Sequence, residues 1–312
     1  MENPYIPFLM RIEDVVLETE DRKIKTFVLA FAGEEDRKRF SYVPGQFAEV
    51  SVFGKGEAPF GMASTPTRPD RLEFSVSTIT GASVAPSPGE AGRASPSARG
   101  SSLPSLGRSV GVVTGALHNL EKGAMVGVRG PLGNGYPLET FKGKNLLLIG
   151  GGFGFSTLRS LTNYILHDLN RAAFGDLTII YGARKPGLLL YKADLEAWRE
   201  RADVRLHLTV DQEENGWQGH VGMVPSVTRS VAPSAEDTFA VVCGPPIMMK
   251  FTLPVLKDLG FRDENILFSL EMRMKCGIGK CGRCNVGSKY VCSEGPVFYQ
   301  SELARLTGEA HF

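Results

Sequence analysis

The hydrophobic and polar positions of the chain follow two different patterns, one before about residue 142 and one after it. In the first part, short segments rich in β-branched and aromatic residues are separated by Gly, Pro and charged turns. These segments are KTFVLAF (25–31), QFAEVSVF (46–53), RLEFSVSTI (71–79) and EKGAMVGVRGPLG (121–133). Many short strands joined by tight turns predict an antiparallel barrel or sandwich.

From residue 143 onward, apolar strands alternate with segments of helical period. The strand KNLLLIGG (144–151) precedes a helical pattern over 156–169, and the strand TFAVVCGPP (238–246) precedes another over 247–260. Strands that alternate with helices at this spacing predict a doubly wound parallel sheet, covered on both faces.

Two local details follow from these patterns. Ser156 or Thr157 is expected to cap the first of these helices, and Pro254 is expected to kink or break the second. The predicted organisation is a β-barrel domain over 1–142, an α/β domain over 143–262, and a small C-terminal lobe over 263–312 that begins with one further strand.

The stretch 82–108 interrupts the β pattern. It is rich in Pro, Ser, Gly and Ala and has almost no large apolar side chains. Such a composition cannot bury enough surface to offset the entropy of ordering. We therefore predict a flexible insertion in the first domain; a partner-binding arm is the alternative.

Composition excludes several classes of protein. The 312 residues are 42% hydrophobic and 22% charged, with a formal net charge of +1, so no bulk charge favours a nucleic acid or an anionic membrane. The N-terminal sequence has no basic region followed by an apolar core, and no run approaches 18 apolar residues. A cytoplasmic protein is expected, in which thiols stay reduced.

Four of the five cysteines lie within 21 residues, in MRMKCGIGKCGRCNVGSKYVC (272–292). Cys276, Cys281, Cys284 and Cys292 are spaced C-x4-C-x2-C-x7-C, and the first three match the plant-type [2Fe–2S] spacing. A tight hairpin at Gly287-Ser288 would return the fourth cysteine to the others. Structural zinc is the main alternative, although it usually uses two separated Cys pairs. Disulfides are a weaker alternative.

A glycine-rich turn follows the strand over 144–151. Gly150, Gly151, Gly152 and Gly154 precede a helix, so a pyrophosphate could approach the backbone at a helix N-terminus. Glycines needed only for tight strand–helix packing are the alternative. The later CGPP (243–246) ends another strand of the same predicted sheet, at the edge where ligands bind.

The third stretch of interest is PFGMASTPTR (59–68), with VGVVTGAL (110–117) beyond the insertion. By themselves both are turn-rich strand ends. They gain a functional interpretation only from a resemblance.

In their order along the chain, these motifs resemble the ferredoxin–NADP reductase superfamily. The stretches that match are PGQF, STP, VTGALHNLEKG, GVRGPLGNGYP, IGGGFG, YGAR, CGPPIMMKF and MKCGIGKCGRC with YVC and GPVF. The cysteine motif is similar to the iron–sulfur flavoprotein branch. That branch includes the gamma subunit of cytosolic nickel–iron hydrogenases, the corresponding subunit of anaerobic sulfite reductase, and the electron-transfer subunit of type B dihydroorotate dehydrogenase.

The resemblance implies FAD in the barrel, NAD(H) or NADP(H) in the α/β domain and a [2Fe–2S] cluster in the lobe. The usual Arg-x-Tyr-Ser/Thr flavin motif lacks its Arg and Tyr here, and Thr114 matches a position that contacts the flavin phosphates. The cofactor-binding residues predicted from the motifs and the resemblance are Pro59, Phe60, Gly61, Met62, Ser64, Thr65, Val113, Thr114, Gly151, Gly152, Phe153, Gly154, Ser156, Thr157, Arg184, Asp211, Cys243, Gly244, Pro245, Pro246 and Met248.

The nicotinamide carries two electrons as hydride and the cluster carries one, so a flavin is expected between them. The chain is therefore expected to be a diaphorase subunit that exchanges electrons with another redox enzyme, of hydrogenase, sulfite reductase or heterodisulfide reductase type. No catalytic acid–base residue is predicted. The alternatives are a free-standing NAD(P)H–acceptor reductase and a zinc-containing scaffold.

The choice of nucleotide depends on three charged residues. Asp211 follows the strand RLHLTV, where a carboxylate can bind a ribose hydroxyl but repels a 2′-phosphate, which favours NADH. Arg184 and Lys185 could instead pair with such a phosphate.

Overall fold

A computed structural model of the protein describes residues 3–78, 111–214 and 216–307. The stretch 82–108, predicted to be a flexible insertion, lies outside the described residues. Within them the chain forms a six-stranded sheet, a seven-stranded sheet and a two-stranded hairpin.

The first sheet is antiparallel, as the short alternating segments predict. Its strands run in the order β4-β3-β6-β1-β2-β5, and an isolated bridge between Met62 and Phe74 connects the ends of the order. Ala48 and Val50 of β3 point into the apolar core of this sheet. The strands are β1 (Phe8–Leu17), β2 (Ile24–Phe31), β3 (Phe47–Val52), β4 (Gly56–Gly61), β5 (Arg71–Ser77) and β6 (Met125–Leu132). The accompanying helices are α1 (Glu34–Arg39), α2 (Val112–His118) and α3 (Leu138–Phe141).

The second sheet is parallel except for its last strand. Its order is β10-β9-β8-β7-β11-β12-β15, so the chain moves outward from β7 in both directions, which is the doubly wound arrangement predicted. The strands are β7 (Asn145–Gly151), β8 (Leu177–Ala183), β9 (Val204–Val210), β10 (His220–Val221), β11 (Thr238–Cys243), β12 (Ile266–Ser269) and β15 (Val297–Tyr299). The helices of this part are α4 (Phe155–Ile165), α5 (Asp168–Arg171), α6 (Lys192–Arg199), α7 (Val224–Val231) and α8 (Pro246–Asp258).

The cysteine-rich segment forms the hairpin β13 (Asn285–Val286) and β14 (Lys289–Tyr290), then the short helix α9 (Val291–Glu294), and the last helix is α10 (Gln300–Thr307). The segment 263–312, predicted to be a separate lobe, contributes β12 and β15 to the second sheet. None of the helices in the described residues combines the length and apolar character needed to cross a bilayer.

The predicted helix cap was wrong. Helix α4 begins at Phe155 after a short 3-10 turn (Gly152–Gly154), and its N-cap is Gly154 with no side-chain hydrogen bond. Ser156 and Thr157 therefore lie inside the first turn. Helix α8 continues through Pro254, so the proline does not break the helix; a kink there stays a prediction.

Candidate functional site

The four clustered cysteines lie on a hairpin with a two-residue loop. Asn285 pairs with Tyr290 and Val286 with Lys289, so Gly287 and Ser288 form the turn. This confirms the predicted hairpin. The Val291 N–H then donates to the carbonyl of Cys284 at 2.9 Å, which returns Cys292 to the other cysteines.

The four thiols lie near enough to affect one another's ionisation. Cys281 affects the pKa of Cys276, and both Cys284 and Cys276 raise the pKa of Cys292. No three His, Cys, Asp or Glu side chains of the described residues are grouped closely enough to hold one metal ion. A [2Fe–2S] cluster needs two thiolates on each of two irons, whereas structural zinc needs four ligands on a single ion. Four thiols on one short glycine-rich loop are the donor set that a [2Fe–2S] cluster requires.

Backbone N–H groups point at the sulfurs. The N–H groups of Lys280 and Cys281 donate to the sulfur of Cys276 at 3.3 and 3.4 Å. Burial opposes ionisation of this thiol, but the N–H groups of Ile278, Cys281 and Lys280 dominate and lower its pKa to about 6. The Gly279 N–H donates to Cys292 at 3.1 Å, from a backbone φ of +73° that favours glycine.

The four thiols differ in their exposure. Cys284 and Cys292 are buried, Cys276 is half-buried and Cys281 is exposed. Burial, followed by the neighbouring Cys284, raises the pKa of Cys292 to about 12. A cluster held here would therefore have one edge toward solvent, at Cys281.

The cysteine loop, residues 272–292, packs against the outer face of the first sheet. A Cβ added at Gly277 would lie 2.7 Å from the Leu132 side chain and 3.3 Å from a carboxylate oxygen of Glu49. Glu49 is fully buried, and neither of its oxygens has a hydrogen-bond partner. Burial, followed by the nearby Glu57, raises its pKa to about 7.

Asn134, just after β6 of the first sheet, contacts the chain between the cysteine loop and β15 of the second sheet. Its amide group donates to the carbonyls of Glu294 and Val297 at 2.9 and 2.8 Å. Its oxygen accepts the Val297 N–H at 2.9 Å. The position of β15, and of the chain just after Cys292, is therefore fixed from the first domain.

The glycine turn and the CGPP stretch meet at one edge of the second sheet. β7 and β11 are neighbours there, and Cys243 pairs with Gly150. A Cβ added at Gly154 would lie 2.7 Å from the Cα of Gly244, so only glycine permits this approach. Ligands of doubly wound sheets bind at this position, where the strand order reverses. Gly151, Gly152 and Phe153 lie at the end of β7 and in the 3-10 turn after it, and Pro245, Pro246 and Met248 lie at the N-cap and in the first turn of α8.

Thr157 lies between this edge and the first domain. Its hydroxyl is 3.5 Å from the Cys243 sulfur and accepts from the Tyr136 hydroxyl at 3.4 Å. A Cβ at Gly61 would touch its methyl group. Burial raises the pKa of Cys243 to about 12, so this cysteine is a neutral thiol on β11, away from the cysteine loop.

The predicted flavin segment, residues 59–65, is held by helix α4. Arg159 donates to the Ala63 carbonyl at 3.1 Å and Ser160 to the Ser64 carbonyl at 2.5 Å. Helix α4 also begins at the glycine turn, so one helix positions both predicted cofactor sites. Sequence patterns gave no signal for the roles of Arg159 and Ser160.

Several side chains of the flavin segment face the protein interior. Phe60 and Met62 pack in the core of the first sheet, and the Ser64 hydroxyl accepts from Tyr42 at 2.9 Å. Thr65 is hydrogen-bonded to Thr67. A flavin bound at this segment would therefore contact mainly its backbone and the half-buried residues Pro59 and Gly61.

Helix α2 carries the other predicted flavin contacts. Val113 and Thr114 lie in its first turn, and the Thr114 hydroxyl donates to the Gly111 carbonyl at 2.9 Å. A Cβ at Gly56 would lie 3.7 Å from Val113, which places this turn beside the β4 strand that enters the flavin segment.

The charged residues predicted to select the nucleotide lie at the ends of β8 and β9. Arg184 and Asp211 are exposed, and the Asp211 N–H donates to the Ala183 carbonyl at 3.2 Å. Lys185 forms an ion pair with Glu214 at 3.1 Å, so its charge is already partly balanced.

Two family profiles match the chain. The oxidoreductase NAD-binding domain matches residues 148–253, which include the glycine turn and CGPP. The iron–sulfur cluster binding domain of dihydroorotate dehydrogenase B matches residues 271–304, which include all four clustered cysteines.

Several relatives are similar over nearly their full length. The gamma subunit of sulfhydrogenase 1 from Pyrococcus furiosus is 33% identical over 98% of this chain and 95% of the relative. The gamma subunit of sulfhydrogenase 2 from the same organism is 32% identical over 95% and 96%. A probable dihydroorotate dehydrogenase B (NAD(+)) electron transfer subunit from Methanothermobacter thermautotrophicus is 30% identical over 98% and 94%.

Solved structures share the fold. An NADH-dependent reduced ferredoxin-NADP oxidoreductase, studied for flavin-based electron bifurcation, superposes with a TM-score of 0.67 at 23% identity, over 98% of this chain and 93% of that chain. A ferredoxin NADP+ reductase from Neisseria gonorrhoeae with bound FAD and NADP gives a TM-score of 0.60 at 18% identity, over 83% and 96%.

Proposed function

Because the chain belongs to the iron–sulfur flavoprotein branch of the ferredoxin–NADP reductase superfamily, with the sulfhydrogenase gamma subunits and the dihydroorotate dehydrogenase B electron transfer subunits, we propose that it is a diaphorase subunit. It passes electrons between NAD(P)H, FAD and a [2Fe–2S] cluster, to or from a partner redox enzyme. The observation that supports this most directly is the cysteine loop, where backbone N–H groups donate to the sulfurs of Cys276 and Cys292 and Gly277 packs against the predicted flavin domain.

When bound, a flavin accepts two electrons as hydride and releases them singly, which is what a one-electron cluster requires. The residues of the chain position these groups. Helix α4 connects the glycine turn to the carbonyls of Ala63 and Ser64, so the nucleotide and flavin sites are held in one fixed relation. The cysteine loop contacts the first domain at Glu49 and Leu132, and Glu49 is the strand partner of Pro59 in the predicted flavin segment.

The remaining predictions on site and location belong to this proposal. FAD is assigned to residues 59–65 with Val113 and Thr114, and the nucleotide to the glycine turn and CGPP. The domains are assigned to 1–142, 143–262 and 263–312, and the protein to the cytoplasm. The partner is assigned to a multi-subunit redox complex of hydrogenase, sulfite reductase or heterodisulfide reductase type.

NADH is the preferred nucleotide in this proposal. Asp211 presents an exposed carboxylate at the end of β9, where it would repel a 2′-phosphate. Lys185 is paired with Glu214, which leaves Arg184 as the cation of this group that could attract the phosphate. We expect the kcat/KM for dye reduction to be higher with NADH than with NADPH. A higher value with NADPH would contradict this preference.

Two alternatives make different predictions. A free-standing reductase would carry out the same chemistry without a partner, and purification from the native source would show it alone. A zinc scaffold would be colourless, whereas a flavin and an iron–sulfur cluster absorb visible light. The spacing of the first three cysteines and the match of residues 271–304 to an iron–sulfur cluster binding domain favour the cluster over zinc.

The experiment that tests the proposal separates its two halves. Serine replaces cysteine poorly as an iron ligand, so Cys281→Ser should remove the iron–sulfur absorption. Because hydride transfer needs the glycine turn and CGPP but not the cluster, NADH should still reduce the flavin in anaerobic stopped flow. Transfer to the physiological partner should be lost.

Cys243→Ser is the matched control. Cys243 lies on β11, outside the cysteine loop. This variant should therefore keep the cluster absorption, and any change should be in the rate at which NADH reduces the flavin. If Cys281→Ser remains folded and FAD-loaded but NADH no longer reduces its flavin, the proposed order of nicotinamide, flavin, cluster and partner is wrong.

A further inference from the structure

We propose that the surface around Cys281 is the docking face for the electron-transfer partner, and that this partner presents an acidic surface there. The inference rests on the proposed function, since it assumes a cluster at the four cysteines. It adds the place where electrons leave and the charge of the protein that receives or supplies them.

The first argument is exposure. Cys281 is the exposed member of the four thiols, while Cys284 and Cys292 are buried in an apolar cluster that also contains Phe268, Phe298 and Leu303. Gly282 and Arg283, which follow Cys281, are also exposed. Since an electron moves efficiently only between centres that come close together, a partner reaches the cluster most directly over this edge.

The second argument is charge. Between residues 272 and 289 the chain has five basic residues and no acidic one, although the formal net charge of the whole protein is only +1. Lys275, Lys280 and Arg283 are exposed and lie next to Cys276, Cys281 and Cys284 in the sequence. We call these three residues the basic face.

The charges of the basic face are not balanced by the surrounding protein. Among the described residues, neither Lys275 nor Arg283 has an ion-pair partner, whereas Lys289, farther along the hairpin, is paired with Glu302. Clustered charge of one sign raises the local concentration of oppositely charged partners and steers their approach. The complement of this face is therefore an acidic surface.

The third argument is the apolar surface beside these charges. The ammonium group of Lys280 lies 5.3 Å from the ring centre of Tyr5, and Tyr5 and Ile6 are 53% and 67% exposed. Arg129 donates to the carbonyl of Pro4 at 3.4 Å, which fixes this N-terminal segment against the first sheet. Tyr and Arg are enriched in protein interfaces, with a polar rim around an apolar centre.

The test uses small electron acceptors of opposite charge as probes. The protein is reduced with NADH and mixed anaerobically with ferricyanide or with hexaammineruthenium(III) at several salt concentrations. Reoxidation of the cluster is followed by its own absorption and by freeze-quench EPR. With the wild type, ferricyanide should react more slowly as salt increases and the ruthenium cation should react faster, because salt screens attraction and repulsion respectively.

The variant K275E/K280E/R283E should invert both salt dependences. At low salt its reaction with ferricyanide should be slower by at least about tenfold. The matched control, K122E/R199E/R262E, changes the net charge equally at exposed positions far from the cysteines in sequence. It should retain the wild-type salt dependence. Cys281→Ser measures how much acceptor is reduced directly by the flavin, and this rate is subtracted.

Two failures are distinguishable. If NADH does not reduce the cluster in the wild type, the proposed function fails and the docking face with it. If the cluster is reduced, but K275E/K280E/R283E and the control variant give the same salt dependence, only the docking face is wrong. Slower reduction of basic cytochrome c by the wild-type protein as the salt concentration increases would also overturn the assignment of an acidic partner.

Discussion

Glu49 shows how the surroundings of one residue are matched to the charge of the proposed cluster. Its carboxyl group is fully buried below Gly277, without a hydrogen-bond partner for either oxygen. Thiolates and a carboxylate carry the same charge, so an ionised Glu49 at this position would repel the cluster ligands. Burial and Glu57 raise its pKa to about 7, which favours the neutral acid and lowers that repulsion.

A pH prediction at the residue scale concerns His118 at the end of α2. Burial lowers the pKa of His118 and nearby Lys25 adds to this, although the hydrogen bond to the Val76 carbonyl, 2.8 Å away, opposes it. The unfolded chain therefore binds a proton here more readily than the folded one. The contribution of His118 to the free energy of unfolding is present at higher pH and is lost as the pH falls below about 6.5.

The measurement compares wild type with His118→Gln, which keeps a donor for Val76 but does not titrate. Urea midpoints are recorded at pH 8 and pH 5.5. The difference between the two midpoints should be larger in the wild type than in His118→Gln. An equal difference in both proteins would show that other groups cause the acid sensitivity.

The residues that could be predicted from the sequence are those with a local pattern. The spacing of the four cysteines and the glycine turn each identify a short stretch whose residues act together. Arg159, Asn134 and Glu49 could not be found in this way. Arg159 contacts Ala63 and Glu73 across 96 and 86 positions, and no local periodicity reports a contact between such distant parts of the chain.

At the scale of elements, the apolar runs predicted the strands better than the local details predicted the helix ends. β7 and β11 lie within their predicted segments, since continuous apolar runs are typical of parallel strands buried on both faces. The cap at Ser156 or Thr157 was wrong because a 3-10 turn of glycines leads directly into α4. Strand β15 was not predicted, because its three residues pair only through the tertiary position of β12.

At the scale of the molecule, a buried polar network joins the two large sheets. Arg159 of α4 forms ion pairs with Glu73 of β5 and Asp194 of α6, and its guanidinium lies 4.5 Å from the ring centre of Tyr191. The Tyr191 N–H donates to Glu18 at 2.8 Å. The relation between the predicted flavin and nucleotide sites therefore depends in part on the ion pair between Arg159 and Glu73, which crosses from one domain to the other.

This network predicts how the protein unfolds. Arg159 has a side chain only 13% exposed, so Arg159→Leu leaves the buried Glu73 with the more distant Arg71, at 3.9 Å, as its remaining ion-pair contact among the described residues. Removal of one member of a buried ion pair costs about 3–5 kcal/mol of unfolding free energy. Arg205→Leu is the matched control, because the pair of Arg205 with Asp176 is 66% and 62% exposed and contributes less than about 1 kcal/mol.

Two signals distinguish the domains during urea unfolding. Both tryptophans, Trp198 and Trp217, lie in the second domain, so their fluorescence reports that domain; flavin fluorescence reports release of FAD from the first. The two curves should coincide in the wild type and in Arg205→Leu. In Arg159→Leu they should separate, because the domains lose the contact that makes them unfold together. Coincident curves with an unchanged midpoint in Arg159→Leu would mean that the other contacts between the two domains are enough to make them unfold together.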